Sequence, residues 1–157
     1  MTRFAAAPLT LIVLVLGLAA CGGGGGGDAP SQEEFAKSAD QICSDAEKSL
    51  QELGKATSAD EVANQLDKVI DETQGSVDKL KDLDRPDGDA GKAAEKFVNA
   101  LQSDIEDKGI PALEHLRDAI KDKDQAAAQK AYQELQAIET SDSNKLAKAI
   151  GASGCSD

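Results

Sequence analysis

The 157-residue chain has no tryptophan, one histidine, one tyrosine, one methionine and three phenylalanines. A lone His115 leaves no histidine pair for a metal cluster. The Glu-x-x-His pattern of di-metal bundles also fails, because Ala112 stands three residues before His115 and Glu114 is adjacent to it. There is no CxxC spacing and no GxSxG turn to present a serine. No segment alternates apolar and polar residues with period two, so strands are not expected. Past residue 30 the aromatics are Phe35, Phe97 and Tyr132 alone. The core must therefore be built of Leu, Ile, Val and Ala, with few large side chains left to anchor a ligand or an interface. Positive charge is also short, with 17 basic against 29 acidic side chains. A field of that sign argues against nucleic acid and would be repelled by anionic lipid. Catalytic, metal-ligating and cofactor-binding residues are accordingly assigned nowhere, and the chain is not read as an enzyme.

What is present begins with a leader. Met1-Thr2-Arg3 carries one basic charge, Leu9 to Leu18 is an apolar core, and small residues follow. A membrane-spanning helix needs roughly 20 apolar residues, and this run stops at Cys21 before six glycines. The sequence Leu18-Ala19-Ala20-Cys21 resembles the lipobox of bacterial lipoprotein signals. That resemblance implies removal of residues 1–20, acylation of Cys21 (palmitate among the chains) and a location on the extracytoplasmic face of the cell membrane. One acyl chain holds a protein only marginally, so a firm anchor implies a multiply acylated cysteine. The competing reading is ordinary cleavage after Ala20, leaving a free thiol exposed in an oxidising compartment. Residues 21–30 then form the lipidated cysteine and a Gly-rich tether, whose nine residues from Gly22 to Pro30 span about 15 to 18 Å by random-coil scaling. Of the 17 basic residues only Arg3 is lost with the leader, so the mature chain carries a formal charge near −13.

Residues 31–157 are long enough for one domain with one core. Ser31-Gln32-Glu33-Glu34 is a capping box, and Phe35, Ala39, Ile42, Ala46, Leu50 and Leu53 recur at steps of three and four up to Gly54. Ser58 with Glu61 repeats the signal, and Val62, Leu66, Val69, Thr73, Val77, Leu80 and Leu83 carry a second stripe to Asp84-Arg85-Pro86-Asp87-Gly88. Gly75 within it costs about 1 kcal/mol against Ala. A third helix starts near Asp89 and shows Ala90, Ala94, Phe97, Leu101 and Ile105, then Leu113, Leu116 and Ile120. Pro111 has no N–H to donate to residue 107, so this helix either kinks or stops and restarts; the matching phase on its two sides favours one kinked rod. After Asp122-Lys123-Asp124 a fourth helix carries Ala128, Ala131, Leu135 and Ile138, and Leu146 and Ala149 resume the stripe beyond Asp142. A frayed or bent point is expected at Ser141-Asp142-Ser143-Asn144, and the helix end at Gly151. The predicted fold is all-α, an antiparallel up-down four-helix bundle with helix 3 kinked near Pro111.

Cys43 and Cys155 are an even pair in a secreted context, one on the helix 1 stripe and one on a short tail at the pole where helix 1 begins. They predict a disulfide closing the bundle. A metal or redox thiol pair would call for CxxC spacing or a neighbouring histidine. With Phe35, Ala39-Asp40-Gln41-Ile42-Cys43, Leu80-x-x-Leu83 leading to Pro86, and a last helix ending in glycine ahead of Cys155, the chain resembles small uncharacterised helical lipoproteins and secreted proteins of actinomycete-type bacteria. The likeness spans nearly all of the mature domain and implies the fold and the disulfide, with no activity.

Asp82, Asp84, Asp87 and Asp89 crowd one corner but miss the calcium-loop pattern: counting from Asp82, position six is Asp87 where Gly is needed and position twelve is Ala93 where Glu is needed. A solvated acidic turn is expected there. His115 falls beside the stripe of Leu113 and Leu116 and is expected to face solvent. Two functional readings follow. The first is a non-enzymatic envelope lipoprotein whose acidic helical surface contacts an envelope protein or a wall component. The second is a carrier of an apolar ligand, haem or lipid, held between the helices with Tyr132 or His115 as ligand to a haem.

Overall fold

The structure, a computed structural model, describes residues 29–53 and 55–156. The predicted leader, Cys21 and the glycine tether lie outside the described residues. Among those described there is no strand, and the chain runs through six α-helices. These are α1 (Gln32–Leu53), α2 (Ala59–Asp82), α3 (Gly88–Gln102), α4 (Ile110–Lys121), α5 (Gln125–Gln136) and α6 (Ser141–Ile150). A π-helical segment, Ser103–Gly109, joins α3 to α4, and a 3-10 turn, Ser153–Cys155, follows α6.

The capping signals act as their chemistry predicts, with one variation. Ser31 Oγ accepts from Glu34 N at 3.2 Å while Glu34 Oε2 accepts from Ser31 N at 2.8 Å, a complete reciprocal box. At α2, Ser58 Oγ accepts from Glu61 N, but Glu61 Oε2 reaches one residue further back, to the N–H and hydroxyl of Thr57. The corner after α4 is tighter than its composition suggests. Lys123 adopts the left-handed conformation, φ 58°, as the C′ residue of α4. Its N–H donates to Ile120 O and that of Asp124 to Ala119 O, closing a Schellman motif. Asp124 then caps α5, its Oδ1 accepting from Ala126 N and Ala127 N at 3.0 Å.

The two helices expected after α2 are more divided than their periodicity suggests. The third helix does not stop at Pro111: helical structure is continuous from Gly88 to Lys121, and the register changes through the π segment, where Ile110 N donates to Ile105 O. Pro111 thereby falls in the first turn of α4, where a missing N–H is tolerated. The fourth helix is two helices. It ends at Gln136, and Ser141-Asp142-Ser143-Asn144 opens α6, whose first turn favours an acidic Asp142. The restart shifts the phase, so Ser143, Ala147 and Ile150 are buried while Ala149 is exposed. It also changes who packs on whom: α6 lies against α3, whereas α5 lies mainly against α4. Leu50, expected on a buried stripe of α1, is 49% exposed.

The main core sits where the start of α1, the end of α2, α3 and α6 converge. Phe35, Ala36, Ala39, Leu80, Ala94, Phe97, Val98, Ala147, Ile150 and Ala152 form one buried cluster. Phe97 and Leu66 are fully buried. Burying such a side chain contributes roughly 1.5 to 3 kcal/mol each. A second packing region joins α2, α4 and α5, where Ala112, Ala119 and Ala131 are the buried side chains of the last two.

Candidate functional site

Chemistry is densest at the pole where the chain enters and leaves the domain. Helix α6 ends in Gly151, φ 91°, whose N–H donates to Lys148 O, while Ala152 N donates to Ala147 O. That is a second Schellman motif, and its usual apolar contact is present: Ala147 and Ala152 are both fully buried. The motif turns the tail back onto α1. There Gly154 N donates to Asp40 Oδ1 at 2.8 Å, and Gln32 Nε2 donates to Ile150 O at 3.0 Å. Cys155 is bonded to Cys43 across a Cα–Cα distance of 5.3 Å, closing 112 residues of chain. The predicted disulfide is therefore present, and both cysteines are half-buried.

Next to this tail the α2–α3 corner folds over α1. The Arg85 guanidinium stands 5.3 Å from the centroid of the Phe35 ring. It also donates to the carbonyls of Leu83 and Lys81, satisfying the end of α2. An open groove of about 800 Å³ runs beside it, lined by Pro30, Glu34, Phe35, Ser38, Leu83 and Asp84. Its only aromatic, Phe35, is 2% exposed and spent in the core. Asp82, Asp84, Asp87 and Asp89 are all exposed, as expected of a solvated corner. Among the described residues no group of three or more His, Cys, Asp or Glu side chains is arranged to hold a metal.

The two residues considered as alternative haem ligands are both exposed. The His115 side chain is 67% exposed and pairs through Nδ1 with Glu134 Oε2 at 3.3 Å. Tyr132 is 54% exposed. The grooves flanking His115 are bordered by Asp118, Lys130 and Glu134 on one side and Lys108 and Glu139 on the other, and neither includes Tyr132. A cleft between Ala59, Ile120 and Ala128 measures about 240 Å³, below the roughly 300 Å³ at which small-molecule sites begin, whereas the open groove beside His115, which Pro111, Ala112 and Ile138 also line, measures about 440 Å³.

One polar junction escapes sequence reasoning. From the π segment, Asp104 reaches Ser143 of α6, whose Oγ is 2.8 Å from Asp104 Oδ2 and 3.0 Å from Thr140 O; its single proton is shared between them. Lys108 Nζ lies 2.7 Å from Asp104 Oδ1, and this partner raises the lysine pKa. Glu106 accepts from Gln102 and Gln74, and these amides hold its carboxyl below the ordinary glutamate value. On the other side, Asp67 of α2 accepts from Lys121 and Arg117 of α4, which depress its pKa in the same way, Lys121 most. These groups link helices across the domain. They expose no nucleophile beside a base, and the chemistry they offer is cohesion.

No helix among the described residues is long and apolar enough to cross a membrane. No protein-family model matches the chain, and neither a curated protein nor a solved structure is significantly similar to it.

Proposed function

We propose that this chain is a lipid-anchored lipoprotein of the extracytoplasmic membrane face. Its acidic helical domain works by contact with an envelope protein or a wall component and performs no chemistry of its own. The observation that carries the reading is the Cys43–Cys155 bond. Structural disulfides persist where the surroundings are oxidising, which is where the Leu18-Ala19-Ala20-Cys21 leader would deliver the domain. The anchor then does what the surface charge cannot, since a chain of formal charge near −13 gains nothing from anionic headgroups. The resemblance to small helical lipoproteins of actinomycete-type bacteria points the same way. The finer architecture belongs to this reading too: four helical legs joined by short corners, running up and down, with the third bent at its π segment and the fourth divided.

The carrier alternative is less well supported, because His115 and Tyr132 are both exposed and the grooves beside His115 are open and do not include Tyr132. A retention experiment separates the two. The oxidised domain is passed over isolated cell wall and over immobilised envelope proteins, and in parallel titrated with haemin and with fatty acid. Saturable retention that weakens with salt supports the contact reading. No retention, together with a one-to-one haemin or lipid complex, would replace it with the carrier.

A further inference from the structure

The α2–α3 corner contains Asp87-Gly88, the only aspartyl-glycine bond in the chain. From its setting we infer that this bond is a site of spontaneous backbone modification in the folded protein: Asp87 cyclises to a succinimide and reopens to isoaspartate. In the first step the Gly88 backbone nitrogen attacks Asp87 Cγ. The N–Cγ bond forms, the amide proton is lost, and a carboxyl oxygen departs as water. Hydrolysis returns one water. Attack at Cγ restores aspartate, whereas attack at the main-chain carbonyl carbon breaks its bond to Gly88 nitrogen and leaves the chain running through the side-chain carboxyl. Composition is unchanged, and no oxidant or cofactor is needed.

Three features leave both reacting groups free. Asp87 is exposed and occupies the N-cap of α3 without a side-chain capping bond. Among the described residues it has no ion pair, unlike Asp124, which is held by two amides at the same position of α5. Gly88 is the first residue of α3, so its N–H has no acceptor within the helix and no intrahelical bond must break before attack. Around it there is room: a Cβ on Gly88 would meet nothing within 4 Å. The Asp142-Ser143 bond is an internal comparison, because the residue after Asp142 carries a side chain that is fully buried and hydrogen-bonded to Asp104 and Thr140, which crowds the nitrogen that Gly88 leaves open.

The product would matter to the domain. Isomerisation inserts a methylene into the main chain of a corner with no slack, where Pro86 O stands 2.0 Å from where a Cβ on Gly91 would sit. That same corner seats Arg85 over Phe35 at the mouth of the domain. An aged copy would therefore carry a loosened α2–α3 corner beside Pro30 and Phe35.

The test uses the purified chain, native and urea-unfolded, held at neutral pH over weeks. Isoaspartate is located by electron-transfer fragmentation and by enzymatic methylation of isoaspartyl carboxyls. The inference expects native protein to accumulate isoaspartate at residue 87 at a rate comparable to the unfolded chain, with a transient species one water lighter. Residue 142 stays unmodified in the native protein, and the signal at residue 87 is lost in Asp87→Glu. If residue 87 isomerises only in the unfolded chain, or in neither sample, the inference is overturned.

Discussion

Replacing Cys43 and Cys155 together by alanine removes the one covalent link between the first helix and the tail. The bond closes a loop of 112 residues, and in the chain-entropy model a loop of that length restricts the unfolded state by about 5 kcal/mol at 25 °C. The non-covalent attachment of the tail is slight by comparison. It rests on the Gly154 N to Asp40 Oδ1 bond, the Gln32 contact with Ile150 O and the burial of Ala152. Against a typical net stability of about 5 to 15 kcal/mol, the double variant should be marginal. At about 3 to 5 °C per kcal/mol for a domain of this size, its melting temperature should fall by about 15 to 25 °C. Urea and thermal unfolding followed by circular dichroism, with the wild type kept oxidised, measures both quantities. A loss below about 1 kcal/mol would refute the claim that the bond closes the fold, since the entropy of so long a loop could not then be what it removes.

Gly75→Ala and Gly91→Ala are the same substitution with opposite expected signs. The first puts a methyl into open space within α2 and should stabilise by up to about 1 kcal/mol, whereas the second drives one against Pro86 O at 2.0 Å and should destabilise by about 1 to 3 kcal/mol, both read from urea midpoints. Lys123→Gly should stabilise by about 0.5 to 1 kcal/mol, because the left-handed C′ position suits glycine; unchanged stability would argue against that conformation. Acid should weaken the fold. Glu34, Glu61, Asp67 and Glu106 all have pKa values depressed in the folded state, Glu34 and Glu61 chiefly by backbone N–H bonds, Asp67 by Lys121 and Glu106 by Gln102. Their contribution is complete above the ordinary carboxylate range and is lost as pH falls through the folded values, so the urea midpoint should drop below that range and not near neutrality.

Much of the fold was legible because capping residues act locally. Ser31 with Glu34, and Ser58, mark where helices begin, and Gly151 where one ends, each through bonds spanning a few residues, while Pro86-Asp87-Gly88 marks the corner between α2 and α3. The disulfide was legible for the same reason, since a core-facing cysteine and a tail cysteine were the only pair. The register beyond Pro111 was not legible. A π turn adds one residue to the helical repeat and leaves no sequence mark except the proline that profits from it. Asp142 looked like damage to an apolar stripe when it was the first turn of a new helix, because period counting assumes that phase carries through. Asp104, which holds Ser143, and Gln74, which holds Glu106, come from elements distant in sequence, and no spacing rule reaches them.

The central claim is that Cys21 holds the domain on the membrane, and detergent phase partitioning tests it most directly. Cells expressing wild type or Cys21→Ala are extracted in a detergent that separates on warming, and each phase is probed for the domain. The account predicts wild type in the detergent phase and the variant in the aqueous phase or as unprocessed precursor, with the wild-type N-terminal peptide carrying acyl mass on residue 21. Wild type found in the aqueous phase, with an unmodified cysteine, would contradict it.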